Sequence, residues 1–241
     1  MKKLVHIYLL VLLFPAALSG QGLLFGFQSG MATFGMEDLR RYNEFIVGYT
    51  ELDAVAVHDY PPWFYYRAKV AADWQKVYLE ASYTWTFTGA RYSIYDYSGE
   101  YLYDTKISGK TPMLGFGFYL NRGPALRVSV SNNVGRIATA ILMEESLEIP
   151  AVINYDESIE LEARNYCWEP GIRLSWHQSF FRLTGYLGYH IQFTGDGIYP
   201  LENPDYHIKP GYAVAPIEPG WKGIRAGIGF DFFLAYDELK K

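Results

Sequence analysis

Residues 76–87, KVYLEASYTWTF, alternate without a fault: Val77, Leu79, Ala81, Tyr83, Trp85 and Phe87 share one face, and Tyr78, Glu80, Ser82, Thr84 and Thr86 share the other. A period of two is the mark of a strand with one apolar and one polar face. Such a strand constrains its surroundings on both sides. In a soluble sandwich the apolar face meets a second sheet, whereas in a membrane barrel it meets lipid. The rest of the chain has to decide between the two.

Eight segments carry strand patterning. The sequence predicts strands over 22–34, 63–72, 77–97, 100–120, 125–137, 159–176, 180–193 and 221–236. The links between them are sorted by length. Those at 73–76, 121–124 and 177–179 are short; those at 35–62, 137–158 and 194–220 are long. The third and fourth strands form an extended hairpin with its expected tip at Ser98-Gly99. Short turns at one end and long loops at the other predict an all-β fold: an eight-stranded antiparallel up-and-down transmembrane β-barrel with short periplasmic turns and long extracellular loops. A sandwich has no reason to sort its connections this way.

Hairpin parity agrees. A Ser98-Gly99 turn sets Val77 opposite Leu120, Leu79 opposite Phe118, Ala81 opposite Phe116 and Tyr83 opposite Leu114, so apolar meets apolar throughout. The same register sets Arg91 against Lys106, a like-charge conflict. A Gln178-Ser179 turn likewise sets Trp176 opposite Phe181 and Leu174 opposite Leu183. The tryptophans fall into two groups, Trp74 and Trp176 near the short turns and Trp63, Trp85, Trp168 and Trp221 toward the long loops. Two interfacial aromatic belts account for that sorting.

The first residues, MKKLVHIYLLVLLFPAALSG, read as a secretory signal: Lys2 and Lys3, an apolar run over 4–13, then small residues. The expected division is a signal peptide over 1–19 and a barrel domain over 20–241. After this leader no apolar run approaches the ~20 residues of a membrane-spanning helix. The leader holds two of the 21 basic residues, leaving 19 against 26 acids. That acidic balance excludes a basic nucleic-acid surface. Cys167 is the single cysteine. No disulfide or cysteine metal set is expected, and the five histidines follow no metal-ligand spacing. No cofactor is implied.

The inward faces of the predicted strands carry Arg67, Lys69, Glu80, Arg127, Arg173, Arg182, Arg225 and Asp231. Buried charges are costly unless paired, and an eight-stranded barrel is only just wide enough to be filled by side chains. These residues are expected to form an ionic network that plugs the lumen, with Glu80 meeting Arg67 and Lys69 from the neighbouring strand. Six basic groups against two acids leave a surplus, to be met by loop carboxylates, Glu169 or bound anions. A narrow anion-preferring pore for small solutes is the alternative. An outer-membrane enzyme acting on lipid is a second one, but His190 on the seventh strand and His58, Asp59 and His207 in the loops have no spacing to a nucleophile.

The loops offer a binding surface. Tyr92, Tyr95, Tyr97, Tyr101 and Tyr103 cluster on the long hairpin, and tyrosine combines an apolar body with a polar tip suited to protein or glycan contacts. GMEDLRRYNEFIVGY, residues 35–49, predicts a short helix with Leu39, Tyr42, Phe45 and Ile46 on one face, packed over the mouth or presented to a partner.

The stretch FTGARYSIYDYSGEYLYD, residues 87–104, and the terminal strand RAGIGFDFFLAY, with Gly227, Phe230 and Phe232, carry a family likeness. They resemble small eight-stranded outer-membrane barrels of the OmpA/OmpX-like and PorT-like type, including Bacteroidetes-type barrels of unassigned function. The resemblance implies residence in the outer-membrane lipid and delivery by the barrel-insertion machinery, but no motif in it specifies an activity; the residues themselves point to a structural or interaction role without catalysis. An outer-membrane complex partner or a surface glycan is the expected contact. The chain departs from the terminal pattern, continuing into DELKK instead of ending on an aromatic.

Overall fold

The computed structural model describes residues 22–50, 53–74, 76–97, 99–121, 123, 125–150, 153–178, 180–195, 197–208 and 216–236. The expected signal peptide, Ser98 and the DELKK tail lie outside them. In chain order the elements are β1 (Gly22–Ala32), α1 (Glu37–Tyr49), β2 (Val55–Asp59), β3 (Trp63–Asp73), β4 (Val77–Asp96), β5 (Gly99–Tyr119), β6 (Leu126–Ile149), β7 (Ile153–His177), β8 (Phe181–Gly195), β9 (Tyr199–Pro200) and β10 (Gly223–Tyr236).

Eight strands, β1, β3 to β8 and β10, close an antiparallel ring, with β10 bonded to β1 and β4 to β5. The predicted all-β barrel is the observed fold. Paired residues lead round the ring from Tyr119 through Ser129, Arg173, Tyr186, Gly227, Gly30, Tyr65 and Thr86, and return to β5 at Gly109. The return point is ten residues from the start (119 − 109), which is the shear of the barrel. Eight strands with that stagger tilt by roughly 40° and enclose a bore that side chains can fill.

The two faces sort as alternation demands. Phe27, Leu114, Phe116, Val134, Ile172, Leu187 and Ile228 point outward and stay exposed. Arg67, Lys69, Glu80, Glu169, Arg173, Arg182, Arg225 and Asp231 point inward and are buried. This is the reverse of a soluble protein and leaves an apolar band around the outside.

Beyond the ring, β4 to β7 run on as a projecting sheet. β2 extends it along β4, and β9 along β7. α1 packs on its inner face, in a core that includes Leu39, Val47, Tyr60, Tyr92, Tyr101, Tyr103, Ile141 and Leu161. Asn43, fully buried on the helix, donates to the Tyr60 hydroxyl at 2.8 Å and accepts from the Thr105 hydroxyl at 3.3 Å. The helix therefore sits over the barrel mouth, with Tyr42 and Ile46 partly buried against the core and Phe45 exposed.

Four expectations need correction. Residues 137–149 and 153–158 are not loop: they extend β6 and β7 as paired strands, with Ile149 opposite Ile153. Glu148, Asp156 and Glu157 are exposed to water, which favours them on a sheet clear of the membrane. The β4–β5 register differs by two residues from a Ser98-Gly99 turn: Val77 faces Phe118, and Arg91 faces Asp104 instead of Lys106. A shift of two keeps every side chain on its face, so apolar parity cannot choose between the registers. Charge pairing favours the observed one, since Arg91 binds Asp104 through Nε at 2.7 Å and Nη2 at 2.5 Å. Trp176 similarly faces Leu183, and Leu174 faces Gly185. Finally, Trp221 does not belong to an aromatic belt. It shares the parity of Arg225 and turns inward, fully buried, with Nε1 donating to the Thr139 hydroxyl at 2.8 Å and its ring edge-on to Phe34 at 5.4 Å.

Trp221→Ala should therefore cost about 3–5 kcal/mol of barrel stability. Tyr97→Ala, at a fully exposed position, should change it by no more than about 0.5 kcal/mol. Heat-modifiable gel mobility across a denaturant series measures both.

Candidate functional site

Two regions hold the chemistry, the lumen and the projecting sheet. In the lumen the charges are joined in three groups. Glu169 on β7 anchors the first. It is ion-paired with Arg67 of β3, accepts from Arg225 Nη1 of β10 at 2.5 Å and from the Tyr186 hydroxyl at 2.7 Å, and has His190 Nδ1 at 3.3 Å. Arg67 also donates through Nε to the Thr84 hydroxyl at 2.8 Å.

The second group is Glu80, which receives both terminal nitrogens of Arg173, at 2.5 and 2.8 Å. Fork-to-carboxylate geometry of this kind is the strongest form of the pair. The third runs from Lys69 to Asp73. Lys69 lies 2.9 Å from Asp231, and Asp231 accepts from Arg182 Nε at 2.8 Å. Arg182 Nη1 reaches Asp73 at 3.1 Å, and the Tyr119 hydroxyl donates to Asp73 at 2.7 Å. Gly26 makes the Lys69–Asp231 contact possible. It lies opposite both residues on β1, and a Cβ there would stand 1.9 Å from Asp231 Oδ1.

All eight sequence-predicted lumen residues thus face the interior, but the pairing differs from expectation. Glu80 binds Arg173 of β7, not Arg67 and Lys69. The β3–β4 register sets Ala71 opposite Glu80 and Lys69 opposite Ser82, and in so narrow a bore a long arginine reaches across instead. Arg127 enters no ion pair among the described residues; its guanidinium lies 5.5 Å from the Tyr119 ring centre. Glu169 and Asp73 supply two further acids, which lowers the basic surplus from four to two. The parity of Glu169 with Arg173 marks it as inward, whereas Asp73 at the strand end resembles a turn residue. Tyr65, Tyr119 and Tyr186 were readable only by the same parity.

The tyrosine surface divides. Tyr92, Tyr101 and Tyr103 are buried against the mouth core, and only Tyr95 and Tyr97 are exposed. Strand alternation separates Tyr92 from Tyr95 and Tyr97, so the five cannot form one surface. Burial pushes the Tyr92 hydroxyl up to about 12 and raises those of Tyr101 and Tyr103. His58 and Asp59 lie in β2, where Asp59 pairs with Arg40 at 2.7 Å. His207 stands with its ring edge-on to Tyr199. Among the described residues no three His, Cys, Asp or Glu side chains are grouped to hold a metal.

The outer face of the projecting sheet carries a groove of about 770 Å³ immediately beyond the apolar band. Trp63 and Phe87 line it on the β3–β4 side, Gly89, Ser108 and Ala140 lie along its floor, and Glu160 and Glu162 line it on the β7 side.

No family model matches the chain, and no curated protein matches it. Among solved structures it is similar to Ail, the attachment invasion locus protein of Yersinia pestis, in complex with the heparin analogue sucrose octasulfate: 11% identity, 88% of this chain and 99% of that chain covered, TM-score 0.40. A second structure of Ail gives 11% identity, coverage of 88% and 97%, and a TM-score of 0.37. Likeness at this level bears on neither the site nor the function of this chain.

A double-mutant cycle separates the two pairings of Glu80. Glu80→Ala should cost about 3–5 kcal/mol by leaving Arg173 buried and unpaired. Coupling to Arg173→Ala should be large and coupling to Lys69→Ala below about 0.5 kcal/mol. Equal coupling to both would restore the neighbouring-strand arrangement.

Proposed function

We propose that the protein is an integral barrel of a bacterial outer membrane whose lumen is plugged and whose projecting sheet is an interaction surface. The observation that carries this reading is the two-faced ring: the same strands bear a predominantly apolar exterior and a paired ionic interior. A closed ring in lipid satisfies every strand's backbone without water, and the apolar exterior fits no aqueous setting for a lone chain. The N-terminal leader supports export, and the terminal strand supports delivery by the barrel-insertion machinery. OmpA/OmpX-like and PorT-like barrels fit the same description.

An interaction role follows from where the chain invests its length. β4 to β7 continue far beyond the band, are backed by a helix and a second core, and hold a preformed groove. Rigid projecting elements with a shaped surface suit recognition of a complex partner or a surface glycan. A narrow anion-preferring pore is the second reading, because six basic residues in the lumen stand against Asp73, Glu80, Glu169 and Asp231.

Cysteines at Tyr97 and Asn203 should label from outside intact cells, and one at Gly123 should not; labelling at Gly123 alone would invert the orientation. In planar bilayers the purified barrel should show little conductance. Stable anion-selective openings that change in Arg127→Ala would favour the pore.

A further inference from the structure

The outward charges of the barrel are not scattered. On β5, β6 and β7 the outer face carries Lys110, Arg136 and Arg164, all exposed. The register places them together: Lys110 and Arg164 both lie opposite Ala138, and Arg136 is two residues below Ala138 on the same strand. Three cations thus surround one small side chain. From this triangle to the short turns, the outward positions of the three strands hold no charge among the described residues. Leu114, Val134 and Trp168 stand directly below it, exposed. The guanidinium of Arg136 lies over the Tyr166 ring at 5.7 Å, held at the upper edge of the band.

The groove opens immediately above. Ser108 and Ala140 of its floor lie on the next row beyond Lys110 and Ala138, and Glu162 completes that row. Glu162 also lies 3.5 Å from Arg164, which ties the wall of the groove to the triangle. Reading upward, one patch therefore offers an apolar wall, a cationic triangle, and a floor at Ser108 and Ala140. Glu160 and Glu162 lie on one side of that floor, Trp63 and Phe87 on the other, and Lys106, which is paired with Glu144, above it. Each zone selects a different chemistry. Guanidinium and ammonium groups at a polar boundary bind phosphate. Carboxylates accept hydrogen bonds from hydroxyls, and aromatic side chains pack on the flat apolar face of a sugar ring. The apolar wall takes acyl chain.

We propose that this patch binds one phosphorylated glycolipid of the outer leaflet. The phosphate sits in the Lys110, Arg136 and Arg164 triangle, the saccharide lies along the Ser108–Ala140 floor toward Glu160 and Glu162, and the acyl chains run down past Leu114 and Trp168. The proposal rests on the outer-membrane reading and names the ligand class of the groove described there.

The test uses the full barrel in vesicles of neutral lipid, with a phosphorylated glycolipid, its dephosphorylated form, phosphatidylglycerol or inorganic phosphate added, and retention read by native mass spectrometry. The native barrel should retain the phosphorylated glycolipid in preference to all three others. Lys110→Gln/Arg136→Gln/Arg164→Gln should weaken that retention about 100-fold, a few-fold for each cation lost at a membrane surface. Glu160→Gln/Glu162→Gln should weaken the glycolipid but leave phosphatidylglycerol unchanged. Retention of phosphatidylglycerol equal to the glycolipid would reduce the patch to a cationic belt, and displacement by millimolar phosphate would make it a free-anion site; either overturns the proposal. So does a triple variant that binds like the native chain. Insertion is followed in the same samples by heat-modifiable mobility. A barrel that inserts but ignores the glycolipid defeats this proposal alone, whereas a chain that fails to insert defeats the outer-membrane reading as well.

Discussion

A strand in lipid has no water to receive its backbone hydrogen bonds, so its sheet must close on itself. That constraint organises the molecule. Closure of eight strands with a shear of ten residues fixes both tilt and bore, and alternation then assigns every residue to lipid or lumen. Once the ring is closed, an inward charge is surrounded by other inward side chains, and most such charges pair there.

The partners found are mostly distant along the ring. Glu169 of β7 holds Arg67 of β3 and Arg225 of β10, while Glu80 of β4 holds Arg173 of β7. Buried pairs of this kind contribute little net stability over an apolar filling, yet losing one member is expensive. Their effect is to tie opposite walls into a single arrangement. Small residues make this geometry possible. Gly26 clears the space where Lys69 and Asp231 meet, and at Gly117 a Cβ would stand 2.3 Å from the Tyr78 ring. Above the bore the packing logic changes. The inward faces of β4 to β7 become apolar, and α1 and Trp221 fill the mouth as a hydrophobic core.

Much of this was legible in the sequence, because a period of two leaves only two faces. The eight ring strands, the lumen charges and the mouth helix could be read from alternation and spacing. What alternation cannot fix is register. A slip of two residues preserves every face, so the Arg91–Asp104 and Trp176–Leu183 pairings needed the structure. Pairing across the bore is also invisible locally, since Glu80 and Arg173 are 93 residues apart. The acidic 137–158 segment resembled a loop because its alternation continues where lipid no longer demands an apolar face. The tyrosine cluster divides for a different reason: parity sets Tyr92 opposite in sense to Tyr95 and Tyr97, which closeness in the sequence does not display. The outward triangle at Lys110, Arg136 and Arg164 depends on register across three strands, which no single stretch displays.

The central claim is that one face of each ring strand meets lipid and the other does not. Tryptophan fluorescence with brominated acyl chains tests it most directly, using two single-tryptophan chains reconstituted in the same vesicles. The chain keeping Trp168, outward and 40% exposed, should be strongly quenched by the brominated lipid; the chain keeping Trp221, inward and 1% exposed, should not. Strong quenching of Trp221, or none of Trp168, would contradict the account.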